Sequence, residues 1–250
     1  MILVAAGAYV INDYFDIQVD KENCNKKVLV GRSIKRRIAL ILHILFTSLG
    51  LILGTYISFK LKYPIIAIIL ILSAYLLWQY SLHIKRQLFK GNLIVAILSA
   101  LFVFSLASIE LLSKLMHPST KEVLFILCMY STFAFNSSLI HQITNDLNTV
   151  NGDKKFNIKT LATEWGIAKT KEFVKWLSMI TVFMIISISI YKFNTHLPAL
   201  IYAFTLLIFP LCILNILTFK ASISKDYNRI SKLNKFIIFN GIISLFFFMK

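Results

Sequence analysis

Charged residues are scarce in this 250-residue chain: they make up 15% of it, whereas a soluble domain averages about 25%. Hydrophobic residues account for 58%, and the mean hydropathy is +0.75. So little charge in so apolar a chain excludes an ordinary soluble domain. The composition predicts an all-α, polytopic bundle of transmembrane helices.

Cysteine is also rare. The three residues Cys24, Cys128 and Cys212 are odd in number and far apart, so they predict neither a disulfide framework nor a zinc site. The chain also lacks a nucleophile elbow, a Walker loop, an HExxH motif and a dinucleotide fingerprint. What remains for chemistry is a set of acids, amides and bases beside apolar segments.

Long apolar stretches divide the chain. An apolar run over residues 2–11 is too short to cross a bilayer, which takes about 20 residues. We therefore expect that an N-terminal part of the protein precedes Met1, and that the full bundle forms a single domain over residues 1–250. Seven further candidate spans are predicted at about 38–58, 64–83, 93–113, 122–143, 173–192, 198–219 and 236–249, which makes eight segments.

Basic residues are distributed unevenly between the two ends of these segments. The loops after the first, third, fifth and seventh segments carry 21 of the 27 Lys and Arg residues. Because Lys and Arg are enriched in cytoplasmic loops, these loops are predicted to face the cytoplasm. Topology thus accounts for the net charge of +16, and we expect no nucleic-acid partner. The predicted location is a bacterial inner (plasma) membrane.

An acidic motif lies at the cytoplasmic end of the first segment. Asn12, Asp16 and Asp20 recur at every fourth residue, with Asp13 beside them. On a helix this spacing places neighbouring Cβ atoms about 5–6 Å apart on one face. Charge at membrane depth costs about 2.5–3.5 kcal/mol, and a hard cation such as Mg²⁺ would offset both that cost and the mutual repulsion. The alternative is an acidic helix end that meets water.

A second polar segment follows the segment predicted at 122–143 and is expected on the same side. Asn145, Thr149 and Asp153 repeat the four-residue step, and Asp146 lies alongside. Gly152 would permit a turn or a close approach of the backbone to a phosphate. Two such segments on one membrane face predict a facing pair; the alternative is a solvated polar loop.

Two other kinds of residue are candidates. Lys85 and Arg86, in the loop between the two acidic segments, would neutralise phosphate oxygens, or else serve only to fix topology. His43 is an ionisable residue within a predicted span, which indicates either function or a hydrogen-bonded core histidine. His141 precedes the second acidic segment and is a candidate for an acceptor-side role.

Together these motifs resemble the UbiA superfamily of intramembrane prenyltransferases. The resemblance rests on Asn12-Asp13-x-x-Asp16-x-x-x-Asp20, on Tyr80-Ser81 with Lys85-Arg86 and Gly91-Asn92, and on Gly152-Asp153 with Lys159-Thr160-Leu161. It extends over the whole chain and implies nine transmembrane helices, with the first acidic motif after the second. The eight segments fit that plan if helix one is absent.

The resemblance implies transfer of a polyprenyl group from its diphosphate to a membrane-soluble acceptor, with Mg²⁺ between the acidic motifs and the diphosphate. The implied metal ligands are Asn12, Asp13, Asp16, Asp20 and Asp153. The implied catalytic residues are Asp16, Asp20, Asp146 and Asp153, and the implied substrate-binding residues are Lys85, Arg86, Asn145 and Lys159.

The chain also departs from the family pattern. Thr149 stands in place of the middle acid of the second motif, Asn148 stands where an acid is common, and Cys24-Asn25 replaces a usual Lys-Pro. A hydroxyl contributes no charge, so we expect a weaker second metal.

The acceptor class remains open at this stage. The residues Val28-Leu29-Val30-Gly31 favour a prenylated glycerol phosphate as acceptor. The alternatives are an aromatic quinone or haem precursor, and a non-catalytic relative that binds lipid or a partner. A transporter is disfavoured, since its acids would lie at the membrane midplane.

Overall fold

A computed structural model of the chain describes residues 1–22, 28–113, 120–193 and 197–248. Helices dominate these residues, with one isolated bridge between Val30 and Ile34, which confirms the predicted all-α fold. Cys24-Asn25 lies outside the described residues. The α-helices are α1 Ile2–Phe15, α2 Ile17–Glu22, α3 Arg36–Leu61, α4 Pro64–Leu82, α5 Lys90–Ser113, α6 Thr120–Lys155, α7 Leu161–Glu164, α8 Ile167–Phe193, α9 Leu197–Tyr202, α10 Phe209–Lys220 and α11 Ser224–Ile243.

Five helical stretches within the described residues are long and apolar enough to cross a membrane. Side chains such as Ile44, Ile52 and Phe59 on α3 are exposed, as expected where a helix faces lipid instead of water. The chain is therefore an integral membrane protein. The five stretches are Arg36–Leu61, Pro64–Leu82, Val123–Lys155, Ile167–Tyr191 and Leu197–Lys220, and shorter apolar helices cover Ile2–Phe15 and Lys90–Ser105.

Two predicted boundaries were wrong. Helix α6 continues to Lys155, beyond the predicted end at 143, so the second polar segment is helical and not a loop. Helix α11 begins at Ser224, earlier than the predicted 236, because its first turns are amphipathic and not apolar throughout. Tyr227, Ile230 and Asn234 are buried along one side of it, while Lys225 and Arg229 are exposed.

Residue contacts group the chain into two compact units. The first unit comprises Met1–Ser131 with Asn151–Thr160, and the second comprises Thr132–Val150 with Leu161–Lys250. The expectation of a single domain over residues 1–250 stays a prediction.

In the first unit, α1 packs against α3 and α4 through close helix contacts. A Cβ atom added to Gly7 would lie 2.5 Å from Thr47 Oγ1, and one added to Gly50 would lie 2.8 Å from Val4 Cγ2. Small residues at such positions let helix backbones approach closely in a membrane, where dispersion contacts drive association. The glycines therefore set the position of α1, the helix from which the acidic motif emerges.

The turn around Gly31 packs against Ile17, which lies within the acidic motif. Gly31 has φ +89°, and its N–H donates to Ile34 O at 2.8 Å. This left-handed conformation is accessible to glycine at little cost. The turn buries Val30 in a small core with Ile17 and Ala39, so the residue directly after Asp16 is anchored in a packed cluster.

In the second unit, α10 packs against α8 and α11. A π-helical stretch, Ala203–Ile208, joins α9 to α10, and Pro210 follows it. Because proline has no N–H to donate, the helix locally widens ahead of it. Ser178 Oγ donates to Asn215 Oδ1 at 2.6 Å, which links α8 to α10 across the apolar packing.

Candidate functional site

The first acidic motif spans a break between two helices. Helix α1 ends at Phe15, and Asp16 adopts φ −89° and ψ 0° before α2 begins. The Asp16 N–H donates to Asn12 O at 3.0 Å, and the Asp20 N–H donates to Asp16 O at 2.8 Å. The four-residue register of Asn12, Asp16 and Asp20 is therefore kept across the break.

Asp16 is the centre of a polar cluster in the first unit. Its side chain is buried, with 8% of the residue exposed, and Asn12 Nδ2 donates to Asp16 Oδ2 at 2.9 Å. Lys85 Nζ forms a salt bridge with Asp16 and also donates to Asn12 Oδ1 at 3.3 Å. A buried carboxylate without a partner would be strongly destabilising, so Lys85 provides the charge that Asp16 needs in this state.

The loop after α4 positions Lys85. A 3₁₀ turn, Ile84–Arg86, follows the helix, and Phe89 takes a positive φ of 60° before α5 begins. A Cβ atom on Gly91 would lie 3.1 Å from Lys85 Cα and 3.3 Å from the Tyr80 ring. Glycine at 91 thus lets the loop fold back on itself and direct Lys85 towards Asp16.

Arg86 and the remaining acids of the first motif are less enclosed. Arg86 and Asp13 are exposed, and Asp20 is half-buried. Asp16 is thus the most deeply buried acid of the first motif. The roles of Arg86, Asp13 and Asp20 as substrate-binding and metal-binding residues stay predictions.

A mainly apolar cavity of about 200 Å³ lies among α1, α3 and α4. His43 lines it, donates from Nδ1 to Gly7 O at 2.9 Å, and stacks on Trp78 with ring centroids 5.2 Å apart. His43 is therefore a hydrogen-bonded core histidine that ties α3 to α1. The cavity is lined by Val4, Ala8, Ile11, His43, Thr47, Ala74, Leu77 and Trp78.

The second acidic motif lies within continuous helix. Thr149 Oγ1 donates its hydrogen to Asn145 O, within the same helix, at 3.1 Å. A metal ion or substrate could therefore bind this hydroxyl only through an oxygen lone pair. Asp153 is buried, with 6% of the residue exposed. Helix α6 ends just beyond it, where Asn157 has φ 53° and the Ile158 N–H donates to Asp153 O at 2.9 Å.

Asn148 has a structural role that the sequence did not suggest. Its Nδ2 donates to Asn228 Oδ1 at 3.2 Å, and Ser224 Oγ donates to its Oδ1 at 2.5 Å. Both ends of the amide therefore join α6 to the first two turns of α11. An acid at position 148 would retain an acceptor for Ser224 but would have no donor for Asn228.

A buried polar group in the second unit was also missed. Asn234 Nδ2 donates to Ser137 O at 2.9 Å, while Asn234 Oδ1 and Ser137 Oγ find no hydrogen-bond partner within the described structure. One turn further along α6, His141 Nε2 lies 3.4 Å from Asn145 Nδ2. The signal in the sequence was an amide at 234 on an otherwise apolar stripe of α11 formed by Tyr227, Ile230 and Ile237.

The structure brings some predicted site residues together. Asn12, Asp16 and Lys85 are in direct contact, and Asp153 and Lys159 belong to the same compact unit as they do. Asn145 and Asp146 belong to the second unit.

The metal prediction can be compared with the side chains that lie together. Across the described ranges, no three His, Cys, Asp or Glu side chains form a group that could hold a metal ion by themselves. The donors present are carboxylate and amide oxygens, which fit a hard cation such as Mg²⁺ in kind. Mg²⁺ is usually held by one or two carboxylates together with substrate phosphates, so a protein cage of three acids is not required.

The chain is similar to several proteins named digeranylgeranylglyceryl phosphate synthase. The digeranylgeranylglyceryl phosphate synthase of Saccharolobus solfataricus is 31% identical over 247 residues, which cover 95% of this chain and 80% of that protein. The synthase of the same name from Sulfurisphaera tokodaii is 34% identical over 170 residues, and the match spans 67% of this chain but only 56% of that protein. The one from Korarchaeum cryptofilum is 26% identical, over 98% of this chain and 81% of that protein.

A solved structure has the same fold. It comes from work on digeranylgeranylglyceryl phosphate synthase in membranes, and it superposes on 97% of this chain and 81% of that chain with a TM-score of 0.56 at 24% identity. The model of the UbiA prenyltransferase family matches residues 1–240. With the acidic motif, the basic turn beside it and the helical fold in agreement, the chain belongs to the UbiA prenyltransferase family.

Proposed function

We propose that this prenyltransferase carries out Mg²⁺-dependent transfer of a polyprenyl group from a prenyl diphosphate to the hydroxyl of a prenylated glycerol phosphate. The family implies a prenyl diphosphate and a lipid-type acceptor in a membrane. Relatives named as digeranylgeranylglyceryl phosphate synthases support the glycerol phosphate acceptor over an aromatic one.

The cluster of Asn12, Asp16 and Lys85 is the observation that carries the proposal. It combines a buried carboxylate, an amide oxygen and an ammonium group within hydrogen-bond distance of one another. Asp16 and Asn12 would hold a cation that arrives with the diphosphate, and Lys85 would then pair with a phosphate oxygen. In either arrangement Asp16 would have a positive charge beside it and Lys85 a negative one, so no buried charge would be left unpaired.

The other predicted residues have proposed roles of their own. Asp13, Asp20 and Asp153 would join Asp16 and Asn12 in holding Mg²⁺ when it is bound, and Asp146 would orient the acceptor. Arg86 and Lys159 neutralise the remaining phosphate charge, since arginine can bind a phosphate through two parallel N–H bonds. Asn145 donates to a substrate oxygen.

The reaction that this site would support is an ether synthesis. The bond between C1 of the prenyl group and the diphosphate oxygen breaks, and its electron pair leaves with the diphosphate. The acceptor oxygen bonds to C1, and its proton passes to the diphosphate product, so charge and atoms balance. Mg²⁺, when bound, stabilises the departing charge. Lys85 and Arg86 stabilise that same charge, and the apolar helices exclude water from the allylic cation.

We also propose that the acidic site faces the cytoplasm, because the loops on its side carry most of the Lys and Arg residues. The relatives named above are archaeal proteins and lend no support to a bacterial membrane, so that part of the prediction stays a prediction.

An acceptor comparison tests the proposed reaction. The protein in lipid nanodiscs, with geranylgeranyl diphosphate and Mg²⁺, is expected to prenylate geranylgeranylglyceryl phosphate and to leave 4-hydroxybenzoate unmodified. Mass spectrometry of the lipid products gives the readout. Prenylation of the aromatic acid with no reaction of the glycerol phosphate would contradict the proposal, as would no Mg²⁺-dependent product from either acceptor.

Single cysteines test the orientation. In a variant without Cys24, Cys128 and Cys212, Lys154→Cys is expected to react with a membrane-impermeant maleimide only after cells are opened. Lys62→Cys, in the turn between α3 and α4, is the matched control and is expected to react in intact cells. The reverse pattern would contradict a cytoplasmic site.

A further inference from the structure

Ser137, His141 and Asn234 form a buried polar group in the second unit. We infer that these three side chains bind the hydroxyl group of the acceptor, an inference that rests on the proposed function and adds the residues that recognise the nucleophile. Ser137 is 1% exposed and Asn234 is fully buried at 0%. Polar side chains so deeply buried are hydrogen-bonded in most proteins, so unpartnered atoms here indicate a ligand or an ordered water.

The three residues lie at one level of the fold. Ser137 and His141 are four residues apart on α6, so their Cβ atoms share a face at about 5–6 Å. Asn234 on α11 reaches the same level, because its Nδ2 donates to the Ser137 carbonyl oxygen at 2.9 Å. Ser137 Oγ, His141 Nδ1 and Asn234 Oδ1 are all buried and have no hydrogen-bond partner among residues of known position.

Hydrogen-bond accounting identifies the kind of ligand. Asn145 Nδ2 donates to His141 Nε2, so a neutral His141 carries its proton on Nδ1, which is then an unused donor. Asn234 Oδ1 is an unused acceptor, and the Ser137 hydroxyl can act either way. One alcohol oxygen satisfies all three when it binds, since it donates once and accepts twice. When the Ser137 hydroxyl turns to donate to a carbonyl of its own helix, one lone pair of the alcohol becomes free to bond to C1.

Other ligand classes fit less well. A carboxylate or a fully ionised phosphate has no hydrogen to give Asn234 Oδ1, and an ammonium group cannot accept from His141 Nδ1.

The location suits the nucleophile of the proposed reaction. His141 precedes Asp146 by five residues on α6, which corresponds to about 7.5 Å along the helix axis. The displacement is towards the apolar part of α6. A lipid acceptor with its chains in the apolar bundle and its phosphate at the polar end of α6 would carry its hydroxyl at this level.

Ser137→Ala tests the assignment. We expect the KM for geranylgeranylglyceryl phosphate to rise about three- to tenfold, because one hydrogen bond of about 0.5–1.5 kcal/mol is lost. The KM for geranylgeranyl diphosphate should stay unchanged. Ser131→Ala is the matched control, because Ser131 Oγ is likewise buried without a hydrogen-bond partner among the described residues, on another face of α6. Equal effects of the two variants, or no effect of Ser137→Ala, would overturn the inference.

Two replacements of His141 test the roles of its two ring nitrogens separately. Asparagine places an amide near Nδ1, whereas glutamine places one near Nε2. We expect His141→Asn to keep the acceptor KM within about threefold, and His141→Gln to raise it at least tenfold. A larger loss in the asparagine variant than in the glutamine variant would contradict a role for Nδ1.

A binding measurement distinguishes this inference from the proposed function. The wild-type protein, without prenyl diphosphate, should bind geranylgeranylglyceryl phosphate about tenfold more tightly than its deoxy analogue in calorimetry, and Ser137→Ala should reduce this preference. If transfer occurs but the two lipids bind equally, the hydroxyl site is wrong and the function stands. If the preference is present but no transfer occurs, the function is wrong. Unchanged binding together with a higher melting temperature for Ser137→Ala would show that the site holds only water.

Discussion

The two acidic segments share a four-residue step but are built differently. The first, Asn12–Asp20, crosses a helix break at Asp16 and obtains its counter-charge from Lys85. The second, Asn145–Asp153, is continuous helix, and its middle positions bond to neutral partners, Thr149 to the helix backbone and Asn148 to α11.

The first segment contributes a buried charge pair, whereas the middle residues of the second segment contribute structural hydrogen bonds. In the first segment a buried acid and a base neutralise one another, so removing either leaves a charge without its partner. In the second segment Asn148 joins α6 to α11, and Thr149 bonds within α6 itself. We therefore expect substitutions in the first segment to affect catalysis and those at positions 148 and 149 to affect mainly stability or nothing.

The largest effect is expected from Asp16→Ala. Loss of the buried carboxylate removes the proposed metal ligand and leaves Lys85 without its partner, so turnover should fall at least about a thousandfold. Gln18→Ala, an exposed neighbour between Asp16 and Asp20, is the control and should keep normal turnover. The assay is Mg²⁺-dependent release of diphosphate. Full activity of the alanine variant would contradict the proposed metal site at Asp16.

Lys85→Met should have the next largest effect. Hydrogen bonds to charged groups contribute about 1.5–3 kcal/mol, so kcat/KM for the prenyl diphosphate should fall roughly ten- to a hundredfold. The matched control is Lys90→Met, since Lys90 is an exposed base at the start of α5. Steady-state kinetics with varied diphosphate gives the comparison, and similar losses in both variants would point to a general effect of positive charge.

Asn148→Asp should reduce stability. The carboxylate cannot donate to Asn228, and one lost hydrogen bond corresponds to about 1 kcal/mol in the free energy of unfolding. Thermal unfolding in detergent measures the change. A variant of unchanged melting temperature with increased turnover would show that position 148 is a ligand position and not a helix link.

Thr149→Asp restores the usual acid at the neighbouring position. Turnover should be unchanged or higher, because the added charge strengthens any second metal site, whereas the hydroxyl that is lost bonds to the backbone of its own helix. The readout is the Mg²⁺ concentration that gives half-maximal rate, which should not increase. A large loss of turnover would show that the threonine hydroxyl has a role of its own.

The smallest effect is expected at Asp226, near the start of α11. The backbone N–H groups of Ser222 and Ile223 donate to its carboxylate and hold the pKa of Asp226 below its usual value. A lowered pKa means that the carboxylate stabilises the fold above the ordinary value of about 3.9, and that this contribution is lost as the pH falls through the lower folded value. Asp226→Asn should therefore lower the melting temperature slightly at pH 6.

The difference in melting temperature should then shrink as the pH falls through the lowered pKa of Asp226, where the wild-type carboxylate becomes protonated. A difference in melting temperature that stays constant over this pH range would contradict the assigned capping role.

Much of the fold could be predicted from sequence, because apolar length and the positions of bases are one-dimensional properties. The spans of α3, α4 and α8 followed from them. The two boundaries that were predicted wrongly are the end of α6 at Lys155 and the start of α11 at Ser224. At both, a polar stretch of helix continues from an apolar one. Hydropathy alone cannot distinguish a polar helix from a loop.

The first site was also largely predictable, since Asn12 and Asp16 are close in sequence and their spacing fixes a shared face. Their contact with Lys85 was not, because it depends on how the loop after α4 folds back over Gly91. The polar group around Ser137 and Asn234 was missed for a similar reason. Ser137 and Asn234 are 97 residues apart in the sequence, and only tertiary packing brings them together.

The central claim is that Asp16 and a divalent cation bind the diphosphate together. Binding of a non-reactive geranylgeranyl S-thiolodiphosphate, measured by calorimetry with Mg²⁺ and with EDTA, tests it directly. The account predicts that Mg²⁺ tightens binding at least about tenfold in the wild-type protein and has no effect in Asp16→Asn. Equal affinity with and without Mg²⁺, or the same Mg²⁺ effect in both proteins, would contradict it.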